Sequence, residues 1–175
     1  SLTYTTGPNG LAALFTDANA AGGVNPNGGR IDAPFPSSVD WSLTMMVRRD
    51  GDQVGNDRLF EFLLADGTTV EAPGGRATFV DADTLRPDIG YRPHDVDLVD
   101  GTWTHLAFTY DHDGGTAPRA LCRMYVDGVY MPTSLDGSTY QYDYTTVTDI
   151  VFGVQASNNY RPFGGALDSV KVFGS

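Results

Sequence analysis

Hydrophobic and polar residues alternate along several short segments of the chain. Segment 102–110 places Leu106, Phe108 and Tyr110 on one side of an extended strand and His105 on the other. Alternation with a period of two is typical of strands that bury one face. The same kind of pattern predicts further strands at 41–47, 58–65, 76–80, 119–126, 147–154 and 165–173.

Turn signals separate these segments. The dipeptide Asp-Gly, which readily adopts the positive φ angles of tight hairpin turns, recurs at positions 50, 66, 100, 127 and 136. Many short strands joined by such turns indicate an all-β sandwich or barrel. Two regions depart from the pattern: residues 8–29, expected to be loop with one helical turn at 11–15, and residues 81–100, expected to be a long surface connection. The chain is expected to form a single domain.

The charge balance narrows the class of partner. The net charge is −11, and only two of the 22 acidic residues, Glu61 and Glu71, are Glu. Nucleic acid is excluded as a partner because phosphate binding needs clustered Lys and Arg. No apolar run approaches the length of a membrane span, so membrane insertion is not expected. Cys122 is the only cysteine and is predicted to be a small buried residue.

Four segments in order carry a resemblance to a known family. Segments 100–111, 123–129, 149–153 and 163–173 resemble the Trp-x-His strand, the Tyr-Val-Asp-Gly hairpin, the Gly-ended strand and the closing strand of laminin-G-like domains. These belong to the concanavalin A-like lectin/glucanase superfamily. The resemblance implies an antiparallel, two-sheet jelly-roll sandwich over residues 29–175. Residues 1–28 are then expected to form an N-terminal arm and loop that could dock on a partner.

No catalytic constellation is visible. Glucanases of this superfamily use a Glu-x-Asp-x-x-Glu strand with paired carboxylates, and Glu61 and Glu71 do not have that spacing. His94, His105 and His112 have no nucleophile or acid at a recognisable spacing. The chain is therefore predicted not to be an enzyme.

The resemblance also implies a metal. In laminin-G-like relatives the Asp of the closing strand often coordinates a structural calcium ion, which takes six to eight oxygen ligands. By this resemblance the ligand is Asp168, with Asp32 as its companion. The alternative is that Asp168 only bonds backbone amides and closes the sheet.

Glycan binding usually needs an exposed aromatic side chain beside amide or charged groups. Trp41 and Trp103 are expected in the core, and the Tyr140-Gln-Tyr-Asp-Tyr144 segment is more typical of edge-strand packing. Loops between strands carry such sites more often. The predicted glycan-binding residues are Asn158, Asn159, Tyr160 and Arg161, together with Tyr91 and Arg92.

Two functions are compatible with these observations. One is a non-catalytic surface component of a larger extracellular assembly, such as a virion decoration or fibre protein, whose partners are capsid or fibre subunits and cell-surface glycans. The other is a free-standing or excised carbohydrate-binding module of a secreted protein. No signal peptide is seen, which favours the first, located at a virion surface or otherwise outside the cell.

Overall fold

The fold was analysed in a computed structural model, which describes residues 3–15, 29–51, 57–70, 75–89, 95–114, 119–132, 138–156 and 162–175. In chain order its strands are β1 (Thr3–Gly7), β2 (Gly10–Phe15), β3 (Ile31–Pro34), β4 (Trp41–Arg49), β5 (Asp57–Leu64), β6 (Arg76–Phe79), β7 (Thr84–Asp88), β8 (Val96–Asp97), β9 (Trp103–Asp111), β10 (Arg119–Val126), β11 (Val129–Met131), β12 (Ser138–Tyr140), β13 (Val147–Phe152) and β14 (Gly165–Gly174). A short 3₁₀ helix, Tyr144–Thr146, precedes β13. No helix of the described residues has the length and apolarity to cross a membrane.

The strands form two antiparallel sheets. The large sheet has eight strands in the order β1-β2-β14-β4-β9-β10-β11, and β12 also pairs with β10. The small sheet has six strands in the order β3-β13-β5-β6-β7-β8. Strands distant in sequence lie side by side, as in a jelly roll, so the predicted two-sheet sandwich is confirmed.

The core lies between the two sheets. The predicted inward residues of β9, namely Leu106, Phe108 and Tyr110, are all buried. Within the core Trp41 stacks on Tyr110, with ring centroids 5.8 Å apart. Further aromatic rings surround this pair: Phe35, Phe62 and Tyr144. Aromatic burial of this extent is a large source of stability.

Among the Asp-Gly dipeptides that the structure describes, Asp127–Gly128 forms the predicted tight hairpin turn. Asp127 and Gly128 have φ angles of 49° and 80° and connect β10 to β11, which fits the tight hairpin turn with two positive φ angles. Gly51, Gly67 and Gly101 also have positive φ, whereas the Asp residues before them do not. The dipeptides at 50 and 100 connect strands of different sheets, so the prediction of a tight hairpin turn is wrong there. The fifth turn glycine, Gly137, lies outside the described residues.

Two predictions about irregular regions are wrong. Residues 11–15 belong to strand β2, which forms a hairpin with β1 and pairs with β14, so no helical turn forms there. The region 81–100 contains strands β7 and β8 in addition to loop. Among the described residues, β8 pairs with Thr84 and Leu85 of β7 and not with Pro87, which lacks an N–H group to donate.

The predicted burial of Cys122 is confirmed, since its side chain is 2% exposed. Burial raises the pKa of the thiol to about 12. The reactive thiolate is therefore absent near neutral pH, and we expect no alkylation of Cys122 by iodoacetamide in the native protein. Alkylation in urea, followed by mass spectrometry, supplies the positive control. Rapid modification without denaturant would contradict the burial.

Candidate functional site

The outer face of the large sheet is the surface that its strands direct away from the core. Residues of β4 and β9 alternate strictly between buried and half-buried. Two neighbouring cross-strand pairs at half-buried positions consist of small residues. Ser42 and Thr44 on β4 pair with Thr109 and Ala107 on β9. These four residues form a floor two strands wide, over which a ligand can approach the backbone closely.

Larger side chains flank this floor on both sides. The strand registers align Lys171 and Phe173 of β14 with Thr44 and Ser42. On the other side they align Tyr125 and Arg123 of β10 with Ala107 and Thr109. Three strand spacings separate β14 from β10, about 14 Å. Each side of the floor therefore carries one cation and one aromatic ring.

The two flanking cations differ from the other cations that the structure describes. Lys171 and Arg123 have no carboxylate partner within the part of the chain that the structure describes. The other Arg side chains described there all form ion pairs with Asp or Glu: Arg30, Arg48, Arg49, Arg58, Arg76 and Arg86. Among the described side chains of this acidic chain, the cations without a carboxylate partner therefore lie on one face.

One end of the same face carries a Trp–Arg pair. The guanidinium of Arg48 lies 5.3 Å from the centroid of the Trp103 ring, within the range of a cation–π contact. Two hydrogen bonds of 2.7 Å to Asp50 fix the guanidinium and raise the pKa of Arg48. The expectation that Trp103 is a core residue is wrong, because odd-numbered residues of β9 face outward; Trp41 is buried as expected.

The loop residues predicted to bind glycan lie outside the described residues: Asn158, Asn159, Tyr160, Arg161, Tyr91 and Arg92. The residues that flank segment 157–161 are held by strand β5. The backbone N–H of Ala156 donates to Glu61 Oε2 at 2.9 Å, and Pro162 bridges to Arg58. In the Tyr140–Tyr144 segment, Tyr144 is fully buried and Tyr142 packs against the core.

The two predicted calcium ligands lie in different sheets. Asp32 is on β3 of the small sheet, where both carboxylate oxygens accept from Arg30 Nε. Asp168 is on β14 of the large sheet and accepts from the backbone N–H of Asn9 and the Ser169 hydroxyl. Within the described ranges, no three His, Cys, Asp or Glu side chains are grouped to hold a metal. Calcium binding stays a prediction.

Glu61 occupies a structural position on the small sheet. Its carboxylate and the guanidinium of Arg58 are each 3% exposed and lie 2.6 Å apart. Arg58 also donates to the Thr78 hydroxyl at 2.7 Å. The second acidic residue considered for catalysis, Glu71, lies outside the described residues.

The fold and the sequence together identify the class of protein. Residues 25–175 match the laminin-G-like model described as concanavalin A-like lectin/glucanases superfamily. The chain therefore belongs to this superfamily. None of the curated proteins matches it in sequence.

Solved structures share the fold at low identity. Domain 4 of the extracellular arabinanase AbnA of Geobacillus stearothermophilus, bound to arabinotriose, is 18% identical with a TM-score of 0.62, over 99% of this chain and 75% of that one. The CBM40 of the Ruminococcus gnavus IT-sialidase, bound to α2,3-sialyllactose, is 13% identical with a TM-score of 0.55, over 78% and 77%. The sialidase of Trypanosoma rangeli is 16% identical with a TM-score of 0.61, over 97% of this chain but only 26% of the enzyme.

Proposed function

We propose that the chain is a non-catalytic, lectin-like module that binds acidic saccharides on the outer face of the large sheet. The observation that carries this proposal is the pair of cations without carboxylate partners, Lys171 and Arg123, on either side of a floor of small residues. Cations in this position attract a carboxylate or sulfate. The flanking rings of Phe173 and Tyr125 provide apolar surface for the sugar.

The saccharides bound to two of the similar structures support this proposal. The CBM40 was solved with sialyllactose and the arabinanase domain with arabinotriose, so sandwiches of this shape accommodate oligosaccharides. Sialyllactose carries a carboxylate, which matches the charge of the outer face. An extracellular location follows for a module of this kind, because acidic polysaccharides and glycoconjugates are displayed outside cells.

Calorimetric titration with a panel of oligosaccharides tests the proposal, with sialyllactose and lactose as an acidic and neutral pair. We expect Lys171→Gln and Arg123→Gln each to weaken the binding of an acidic saccharide about tenfold or more. A hydrogen bond to a charged group contributes about 1.5–3 kcal/mol, and 1.4 kcal/mol is a factor of ten. Added salt should weaken binding as well.

Arg86→Gln is the matched control. It removes an equal charge from the small sheet, where Arg86 is paired with Asp95, and should leave the affinity unchanged. If no acidic saccharide of the panel binds, or if all three variants bind as the wild type does, the outer face is not the site.

A second function is favoured by a different observation. The hairpin of β1 and β2 exposes Tyr4 and Leu11, with 59% and 78% of their surfaces accessible. The two side chains lie on the same face of the hairpin and form an apolar patch at a sheet edge, and contiguous apolar patches mark interaction sites. A role as a surface component of a larger assembly, such as a virion decoration or fibre protein, would use this hairpin. Cosedimentation of the chain with the virion or other assembly that carries it tests that role. Wild type should cosediment, and a Leu11→Asp variant should not.

A further inference from the structure

Among the strands that the structure describes, β1 ends the large sheet and pairs with β2 alone. The pair Gly7–Gly10 closes the hairpin turn, and Thr5 and Thr3 pair with Ala12 and Leu14. Because the hydrogen-bonding direction alternates along an antiparallel strand, the backbone N–H and C=O groups of Tyr4 and Thr6 point away from β2. They form an open template for another strand.

The other described edges have features that block such pairing. On β3, Pro34 lacks an N–H group and Asp32 is exposed. Strand β8 has two residues, one of them Asp97, and β11 has three. Strand β1 has five residues, none of them charged and none Pro, and its register with β2 is continuous. Proteins ordinarily protect an edge of this kind with Lys, Pro or a bulge.

The charge distribution indicates which partner fits this edge. The sequence from residue 3 to residue 15 contains no charged side chain, although the whole chain carries −11. The carboxylate of Asp168 lies at the turn end of the hairpin, where it accepts from the backbone N–H of Asn9, but a basic partner would find no acidic side chain on β1 itself. Two copies of an acidic chain, in contrast, repel each other least where both surfaces are neutral.

We infer that β1 pairs with β1 of a second copy of this chain and joins the two large sheets across a two-fold axis. An antiparallel register centred on Thr5 brings Tyr4 of one copy opposite Thr6 of the other. The outward N–H group of each of these residues then donates to the outward C=O group of the residue opposite. Thr6 pairs with Leu11 within each chain, and Tyr4 and Leu11 lie on the same face of the hairpin. Each Tyr4 ring therefore covers the Leu11 of its partner, as a self-complementary interface requires.

Sedimentation equilibrium of the 175-residue chain tests this inference. We expect a monomer–dimer equilibrium that shifts toward dimer when salt is added, because salt screens the repulsion between the acidic chains. Tyr4→Lys places the introduced positive charges of the two copies close together across the two-fold axis. Their repulsion should abolish the dimer. Val129→Lys adds the same charge to an exposed position of β11, the opposite edge of the sheet, and should leave the dimer intact.

Thr6→Pro provides a second variant, which removes an outward N–H without adding charge and should also abolish the dimer. Thermal unfolding of each variant confirms that it is folded. At about 1 mM chain, a dimer with a free energy of association of only about 4 kcal/mol would still be detected. A wild-type chain that stays monomeric at this concentration overturns the inference. So does a dimer that is lost in Val129→Lys but persists in Tyr4→Lys and Thr6→Pro.

Discussion

Replacing Glu61 with Ala is expected to lower the free energy of unfolding by about 3–5 kcal/mol, the cost of removing one partner of a buried ion pair. Glu61 and Arg58 are both 3% exposed. Without the carboxylate, the guanidinium of Arg58 loses its 2.6 Å contact with Glu61 and retains its hydrogen bond to the Thr78 hydroxyl. The buried N–H of Ala156 also loses its acceptor. Urea denaturation followed by tryptophan fluorescence measures the change.

The surface pair Arg86–Asp95 provides the matched comparison. Asp95 is 37% exposed, and exposed ion pairs contribute about 0–1 kcal/mol, so Asp95→Ala should alter stability far less than Glu61→Ala. Equal losses in the two variants would contradict a structural role for the buried pair. The Glu61 variant should also increase amide exchange at Ala156, which is at the start of the segment where the sequence predicts glycan-binding residues.

Much of the sandwich could be predicted because strand periodicity is a local property. Leu106, Phe108 and Tyr110 are inward as their spacing indicates, and the Asp127–Gly128 turn follows from the conformational preferences of two adjacent residues. Strand β2 could not be recognised in this way. Its sequence Gly-Leu-Ala-Ala-Leu-Phe has apolar residues at consecutive positions and contains good helix formers, and only pairing with β1 and β14 makes it a strand.

The candidate site depends on contacts that sequence spacing does not contain. Lys171 and Arg123 reach one face only because the strand order is β14-β4-β9-β10. Arg48 meets Trp103 because β4 and β9 pair in that register. Trp103 is a predicted core residue, yet its odd position on β9 places it on the face that Leu106, Phe108 and Tyr110 do not share. That parity was the available signal for the outer face.

Phe62→Ala is expected to lower the free energy of unfolding by about 3–5 kcal/mol, the range found when a buried Phe is removed from a packed core. The Phe62 ring is fully buried, with centroids 5.0 Å from Phe35 and 5.3 Å from Trp41. These neighbours are large rings held by both sheets, so they cannot close the cavity. Thermal or urea unfolding monitored by near-UV circular dichroism measures the loss.

Phe173→Ala separates this core contribution from the proposed binding role. Phe173 is 53% exposed on the outer face, so its removal should cost about 1 kcal/mol or less in stability. It should nevertheless weaken saccharide binding, because it removes the apolar wall beside Lys171. Phe62→Ala, assayed below its unfolding midpoint, should bind as the wild type does. If Phe173→Ala destabilised the fold as much as Phe62→Ala, the outer face would be part of the structural core and not a surface kept open for a ligand.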